Sequence, residues 1–270
     1  MTPADFDMMA KMLHQRSGLV IGKDKVYLLE SRLVPLARRR GLKSLDEVVA
    51  KVRENKDQAL VGEVVEAMTT NESFFFRDSK PFVTFEKEVL PAMLKARADK
   101  KTLRIWSAAC STGQEPYSLA MVLKEHAAKT PGWKIDITGT DLSNEVLEKA
   151  KAGIYSQFEV QRGLPIQYLM KYFTKTNEVW QIKSDIRAMV QYRALNLLES
   201  LQSLGQMDIV FCRNVLIYFD QATKGKVLEQ IGRIMPPDGV LFLGGAETVV
   251  GISSKFKPVP GQRGVYANAA

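Results

Sequence analysis

The turn between one apolar strand pattern and the following helix pattern carries residues well suited to bind a ligand. Residues 104–120 are RIWSAACSTGQEPYSLA, in which the turn holds a single glycine, Gly113, and is followed by Glu115. A dinucleotide needs a G-x-G-x-x-G turn around its pyrophosphate, and a P-loop needs a lysine after its glycines. This turn has neither feature, and the Glu115 carboxylate would repel a phosphate and attract an ammonium group. The turn therefore suits a ligand that has an amino group and no phosphate.

Polar residues follow three further strand patterns. Asp141 lies at the end of the second pattern, KIDITGTDLS, and Asn196 near the end of the third, MVQYRALNLL. The run Arg213-Asn214-Val215 follows the apolar start of the fourth, MDIVFCRNVLIYF. Ligands of doubly wound α/β sheets bind outside the carboxyl ends of the strands, where a carboxylate such as Asp141 can accept both hydroxyls of a ribose. A ligand with a ribose, an adenine and a free amino acid, but no phosphate, is S-adenosylmethionine.

The same turn also has a simpler interpretation. An acidic residue in the first turn of a helix is stabilised by the helix dipole, so Glu115 alone could be an ordinary feature of a strand–helix turn. The ligand hypothesis is favoured because polar residues follow the other strand patterns as well.

The elements that must position these residues form an alternating series from residue 101 onward. Such a βαβ series predicts an α/β fold with a parallel sheet and helices on both faces. The alternation breaks over about 154–188, where FTKTNEVWQI is typical of a hairpin, so we interpret this part as an insertion. The five predicted strands are 102–110, 134–143, 189–198, 207–219 and 240–249.

Residues 1–68 contain helix patterns only. Asp24 is predicted to cap a helix that runs through Arg40, and Ser44 is predicted to cap the next helix. Lys25, Arg32 and Arg39 repeat every seven residues and form one stripe beside the apolar face of the first of these helices, here called the basic stripe. Such a stripe is either a solvated surface or a docking face for an acidic partner, and the run RRR at 38–40 favours docking.

Composition restricts the possible classes of function. The 270 residues are 46% hydrophobic, which is enough for one large domain or a medium domain with a smaller one. The chain has no apolar run of about 18 residues and no signal-peptide pattern, so we expect no transmembrane helix. Two cysteines favour a reducing compartment, and two distant histidines predict no metal site. A net charge of +8 favours an acidic partner.

Six motifs, spread in order over residues from about 5 to 260, resemble those of one known family. The chain is similar in them to the CheR family, the chemoreceptor glutamate O-methyltransferases. The motifs are TTNESFFFRD (69–78), SAACSTGQEPYS (107–118), GTDLS (139–143), ALNLL (194–198), FCRNVLIYFD (211–220) and GGAETV (244–249).

The resemblance implies an architecture and an activity. It implies an all-helical N-terminal domain over 1–68, a linker and cofactor clasp over 69–100, and a Rossmann-like S-adenosylmethionine-dependent methyltransferase domain over 101–270. An antiparallel β-subdomain would be inserted into that last domain. The activity implied is methyl transfer from S-adenosylmethionine to particular glutamates of receptor signalling helices, giving γ-methyl esters and S-adenosylhomocysteine.

The resemblance also implies roles for individual residues. Tyr218, in the RN-x-x-x-Y stretch, and Arg97, in LKARADKK, would stand beside the transferred methyl group, although Tyr218 could instead be a core aromatic residue. The basic stripe would hold the acidic receptor helices over the site. The implied cofactor contacts are Asn71, Ser73, Arg77, Glu115, Asp141, Asn196, Leu197, Arg213, Asn214 and Val215.

The expected partner is the cytoplasmic helical region of chemoreceptors, reached by a cytoplasmic monomer that is recruited to membrane receptor arrays without inserting into the membrane. A receptor C-terminal peptide and a regulatory adaptor protein stay open as further partners. A nucleic-acid methyltransferase would also be basic, but those acting on exocyclic amines usually carry an Asn/Asp-Pro-Pro-aromatic motif where this chain has RNVLIYF, so we expect no nucleic acid. A module that binds S-adenosylmethionine without catalysis is the second alternative.

Overall fold

The computed structural model describes residues 1–269, which group into two compact units. The first unit contains residues 1–70 together with the short segment Tyr218–Thr223. The second contains Asn71–Ile217 and the chain from Lys224 onward.

The first unit is built from helices whose ends are set by capping residues. Ser44 accepts a hydrogen bond from the Glu47 N–H at 3.3 Å, so its prediction as a cap is confirmed. The prediction that Asp24 caps the preceding helix is wrong, because a 3₁₀ turn occupies Lys23–Lys25 and the residue at the cap, Lys25, makes no side-chain capping bond. The helices are α1 (Pro3–Ser17), α2 (Val26–Arg39), α3 (Leu45–Glu54) and α4 (Gln58–Met68).

The second unit begins with helical segments that join its hydrophobic core. Residues 80–96, expected within a linker, form two helices around a π-helical turn at Phe85–Val89 and bury Phe82, Phe85 and Leu90. The remaining helices are α5 (Lys80–Thr84), α6 (Leu90–Ala96), α7 (Gln114–Glu125), α8 (Asn144–Ala152), α9 (Gln157–Gln161), α10 (Ile166–Tyr172), α11 (Ser184–Arg187) and α12 (Gln221–Ile234).

The strands of the second unit form two sheets. In the larger sheet the order is β6-β2-β1-β7-β8-β10-β9, and its five predicted strands are parallel neighbours, which confirms the predicted α/β fold. The strands are β1 (Thr102–Ala108), β2 (Lys134–Asp141), β3 (Ile154–Ser156), β4 (Phe173–Thr176), β5 (Val179–Ile182), β6 (Val190–Ala194), β7 (Ile209–Cys212), β8 (Val240–Leu243), β9 (Phe256–Pro258) and β10 (Val265–Asn268).

The smaller sheet is the predicted insertion. Its order is β3-β5-β4, all antiparallel, and β4 and β5 form the expected hairpin around Asn177, which has a left-handed φ of 54°. No sequence pattern predicted β9 and β10, which extend the larger sheet in the antiparallel sense. No helix among residues 1–269 is long and apolar enough to cross a membrane.

The register of the larger sheet brings the ends of four strands to one edge. Ala108 at the end of β1 pairs with Thr140 on one side and with Cys212 on the other, while Asp141 pairs with Ala194. The chain therefore leaves β1, β2, β6 and β7 at a shared edge, here called the carboxyl edge. Seven of the ten cofactor contacts implied by the resemblance lie in these four exits.

Candidate active site

The turn after β1 is held in a backbone shape that few residues adopt. Ala109, Ser111 and Gly113 all have positive φ, at 53°, 51° and 93°. Gly113 also has no room for a side chain, because a Cβ there would lie 2.8 Å from the Tyr192 hydroxyl oxygen and 3.0 Å from the Ala150 Cβ. The single glycine of the turn is thus required by conformation and by packing together.

Asp141 ties this turn to the end of β2. Its buried carboxylate accepts the Ser111 N–H at 2.9 Å on one oxygen and the Ser143 N–H at 3.0 Å on the other. Hydrogen bonds from backbone N–H groups favour the ionised carboxylate in a buried place. The predicted ribose-binding residue therefore also fixes the shape of the turn beside it.

Glu115 is paired with a buried arginine. The Arg213 side chain, only 1% exposed, donates from Nη1 to the Glu115 carboxylate at 2.8 Å, and Ser107 donates its hydroxyl to the other Glu115 oxygen at 2.8 Å. The Nη2 of Arg213 binds the Asp78 carboxylate at 2.7 Å and the Arg77 carbonyl at 2.8 Å. Two carboxylates therefore face one guanidinium, which leaves a net negative charge to meet an ammonium group. The sequence-based hypothesis for Glu115 did not include this arginine.

The segment 71–77 is fastened beside the same turn. The Ser111 hydroxyl donates to the Asn71 carbonyl at 2.7 Å. Arg77 donates to the Glu72 carbonyl at 2.8 Å, and its guanidinium carbon lies 5.5 Å from the centroid of the Phe74 ring. Contacts within the second unit therefore hold the Asn71 and Glu72 carbonyls and the Arg77 side chain of this segment.

The remaining predicted contacts lie in the same region or next to it in sequence. Ser73 is half-buried, between Asn71 and Arg77 in the chain. Asn196 accepts the Leu198 N–H on its side-chain oxygen at 3.0 Å and so shapes the exit from β6, and Leu197 is buried.

The exit from β7 depends on a residue to which the sequence analysis gave no role. The Glu247 carboxylate accepts the N–H groups of Asn214 at 2.8 Å and of Val215 at 2.9 Å. The motif GGAETV that contains Glu247 was part of the family resemblance, and this was the one signal in the sequence that could have pointed to it.

Two family models match consecutive parts of the chain. The model of the CheR methyltransferase all-alpha domain matches residues 4–69, and that of the CheR methyltransferase SAM binding domain matches residues 71–265. The chain belongs to the CheR methyltransferase family. It is a methyltransferase that uses S-adenosylmethionine, as the sequence resemblance implied.

Relatives of known name agree with this membership along nearly the whole chain. Chemotaxis protein methyltransferase 1 of Pseudomonas aeruginosa is 43% identical, with 98% of both chains covered. Chemotaxis protein methyltransferase Cher2 of Pseudomonas putida is 39% identical, again with 98% of both covered. Chemotaxis protein methyltransferase 1 of Vibrio cholerae is 40% identical, with 92% of this chain and 90% of the relative covered.

The residues at the carboxyl edge of this CheR chain fit the cofactor chemically. The turn at Gly113 has no lysine for a phosphate, and the Asp141 carboxylate at the next exit has the acceptor chemistry that a ribose diol needs. The buried Nε–H of Arg213 has no acceptor among the described residues, which leaves one donor at this edge for a ligand.

Arg97 lies at the opposite end of the sheet from these residues. Its Nε donates to Asp208 at 3.0 Å, and its two terminal nitrogens bind Asp238 at 2.6 and 2.7 Å. Asp208 directly precedes β7, at the amino end of that strand. The structure therefore does not bring Arg97 to the carboxyl edge, and we do not retain it as the arginine beside the methyl group.

The other predicted residues of the CheR site belong to the first unit. Tyr218 ends a 3₁₀ turn that starts at Leu216, and its side chain is half-buried. Lys25, just before α2, and Arg39, the last residue of α2, are both exposed. Arg32 is occupied differently, because its guanidinium donates to the carbonyls of Met68 and Thr69, each at 2.7 Å, and so caps the end of α4.

Proposed function

We propose that this CheR family member methylates the γ-carboxylate of particular glutamates on chemoreceptors, giving glutamate methyl esters and S-adenosylhomocysteine. The observation that carries the proposal is the carboxyl edge. A turn without phosphate-binding residues lies there beside the Asp141 carboxylate and beside the carboxylates that Arg213 binds. The names of the relatives, chemotaxis protein methyltransferases, support the choice of a chemotaxis substrate.

The acceptor determines how much chemistry the protein must supply. Glutamate has an ordinary pKa of about 4.3, so its carboxylate is already the nucleophile at neutral pH and needs no general base. S-adenosylmethionine, when bound, supplies an electrophilic methyl group on a positively charged sulfur. The chain's own residues then have to hold the acceptor oxygen in line and exclude water, which is catalysis by positioning. The site must not stabilise the ion pair of the ground state, because charge is neutralised as the methyl moves.

We assign the predicted residues to two tasks. Asp141 binds the ribose hydroxyls, and Glu115, whose charge is shared with Arg213, faces the amino group. Tyr218 orients the acceptor carboxylate with its hydroxyl. The remaining contacts carried over from the resemblance keep their cofactor-binding role, namely Asn71, Ser73, Arg77, Asn196, Leu197, Asn214 and Val215.

The basic stripe supplies the proposed docking face for the receptor. Receptor methylation regions are expected to be helical and acidic, so exposed cations raise the rate of productive encounter. Only Lys25 and Arg39 are retained for this role, because Arg32 caps α4. Docking of this kind would place the enzyme on the cytoplasmic side of receptor arrays without inserting it into the membrane.

The proposal is tested by mapping the modified residues. The purified protein is incubated with S-adenosylmethionine and the purified cytoplasmic fragment of a chemoreceptor from the same cells, and the fragment is analysed by peptide mass spectrometry. We expect a gain of one methyl group on particular glutamates, and none without the enzyme. Methylation of lysine or of added nucleic acid instead would contradict the proposal. An unmodified fragment, with cofactor binding measured by calorimetry, would favour the non-catalytic module.

A further inference from the structure

A buried carboxylate gathers the backbone of the loop that follows β7. One oxygen of Glu247 accepts the N–H groups of Gly244 at 2.6 Å and Asn214 at 2.8 Å. The other accepts those of Val215 at 2.9 Å and Ile217 at 3.3 Å. One side chain thus binds the end of β8 and three positions of the loop that leaves β7.

These bonds have large consequences for the loop because the carboxylate is buried. Glu247 is 9% exposed, and several converging N–H dipoles replace the water that an ionised carboxylate would otherwise need. Asn214 has a left-handed φ of 60°, a conformation that asparagine adopts more readily than most residues other than glycine. Without the carboxylate, the N–H groups of Asn214, Val215 and Ile217 would lose the acceptor that they share.

The fit around Glu247 is also close. A Cβ on Gly244 would lie 2.7 Å from a Glu247 carboxylate oxygen and 2.9 Å from the side-chain oxygen of Asn214. The glycine of the GGAETV motif is therefore part of the same arrangement, since any larger residue would push the loop away.

We propose that Glu247 is a positioning residue of the cofactor site, which acts by holding Asn214 and Val215 in the conformation that binds S-adenosylmethionine. This inference rests on the proposed role of those two residues as cofactor contacts. Glu247 does not itself touch the cofactor in this account; the loop is the part that does.

The test compares cofactor affinity in two variants that disturb equally buried carboxylates. Glu247→Gln removes the charge and turns an amide nitrogen toward backbone N–H groups, so we expect the Kd for S-adenosylhomocysteine, measured by calorimetry, to rise about tenfold or more. Asp208→Asn is the matched control, because buried Asp208 accepts the Arg104 N–H at 2.9 Å at the other end of the sheet. We expect it to lower the thermal midpoint similarly and to leave the Kd unchanged.

Further variants separate the possible failures. Wild-type affinity in Glu247→Gln would overturn the inference. Asn214→Gly removes the side chain and still permits the positive φ, so wild-type affinity in that variant would contradict the proposed contact of Asn214 instead. If Glu247→Gln does not fold, Gly244→Ala tests the same loop with the carboxylate in place. We expect weaker binding there, and unchanged binding would overturn the inference.

Discussion

At the scale of single residues, the role proposed for Tyr218 is the most specific. We expect Tyr218→Phe to lower kcat for receptor methylation about a hundredfold, because one preorganised donor at the reacting group is lost. Cofactor affinity should change little, because the hydroxyl acts on the acceptor. Rates and calorimetry on the same preparation check this, and an equal loss of turnover and of cofactor affinity would remove Tyr218 from the proposed role.

The sequence could predict some of these residues for a definite physical reason. The position of Asp141 could be predicted because the carboxyl ends of parallel strands meet at one edge of the sheet. A polar residue at the end of a buried strand must lie at that edge. Arg97 was misplaced because its partners, Asp208 and Asp238, lie 111 and 141 positions away in the chain, where no local pattern reveals them. The role of Glu247 was not predicted because its hydrogen-bond donors are backbone N–H groups. Every residue except proline has such a group, so residue types do not reveal these bonds.

At the scale of elements, the insertion packs closely against the segment 71–77 at Gly163. Gly163 has a φ of 81°, and a Cβ there would overlap the carbonyl oxygen of Phe75. We expect Gly163→Ala to reduce the free energy of unfolding by about 2 kcal/mol, from backbone strain and the clash together. Gly62→Ala is the control, because Gly62 lies within α4 with open space around it and should gain about 0.5–1 kcal/mol. Thermal unfolding midpoints of both variants check the signs.

Asp220, just before α12, should make the free energy of unfolding depend on pH in the acidic range. Hydrogen bonds from Thr223, followed by that of His14 at 2.7 Å, lower the pKa of Asp220 to about 2. An unfolded aspartate has a pKa of about 3.9, so Asp220 stabilises the folded state above about pH 4 and loses this effect as the pH falls toward 2. Urea unfolding at several pH values should show the gap between wild type and Asp220→Asn shrinking over that range. A gap that is constant with pH would contradict this.

The basic stripe gives an electrostatic prediction for α2. We expect the double variant Lys25→Glu, Arg39→Glu to raise the KM for receptor on the order of tenfold at low salt and to leave the Kd for S-adenosylhomocysteine unchanged. The effect should fade as salt screens the charges. Two charge reversals at exposed positions on α1 and α3, Lys11→Glu and Lys51→Glu, make the same change in net charge and serve as the control. Equal effects of both double variants would argue against a docking face on α2.

The element pattern was predictable where periodicity is strong and not elsewhere. The buried parallel strands are continuous apolar runs, so their order of appearance could be deduced from the sequence. β9 and β10 span three and four residues and contain proline or lie beside glycine, so no strand period develops. The predicted strand 207–219 was too long. β7 ends at Cys212, and beyond Arg213 the backbone N–H groups donate to the Glu247 carboxylate instead of to a neighbouring strand.

At the scale of the whole molecule, the two units are not separated at a single point of the sequence. Residues 218–223 group with the helical unit although they follow the strand β7 of the other unit in sequence. A boundary drawn along the sequence places this segment in the cofactor-binding domain, because local patterns describe neighbours in sequence only. The net charge of +8 belongs to the same scale, since net charge bears on association with charged partners and does not determine the fold.

The central claim is that the methyl group ends on a carboxylate of a receptor. The most direct measurement transfers labelled methyl from S-adenosylmethionine to receptor-containing membranes and then treats the washed membranes with mild alkali. The account predicts that the label leaves as methanol, because alkali hydrolyses a carboxyl ester. Label that is transferred but stays on the protein in alkali would mean methylation of nitrogen and would contradict the account.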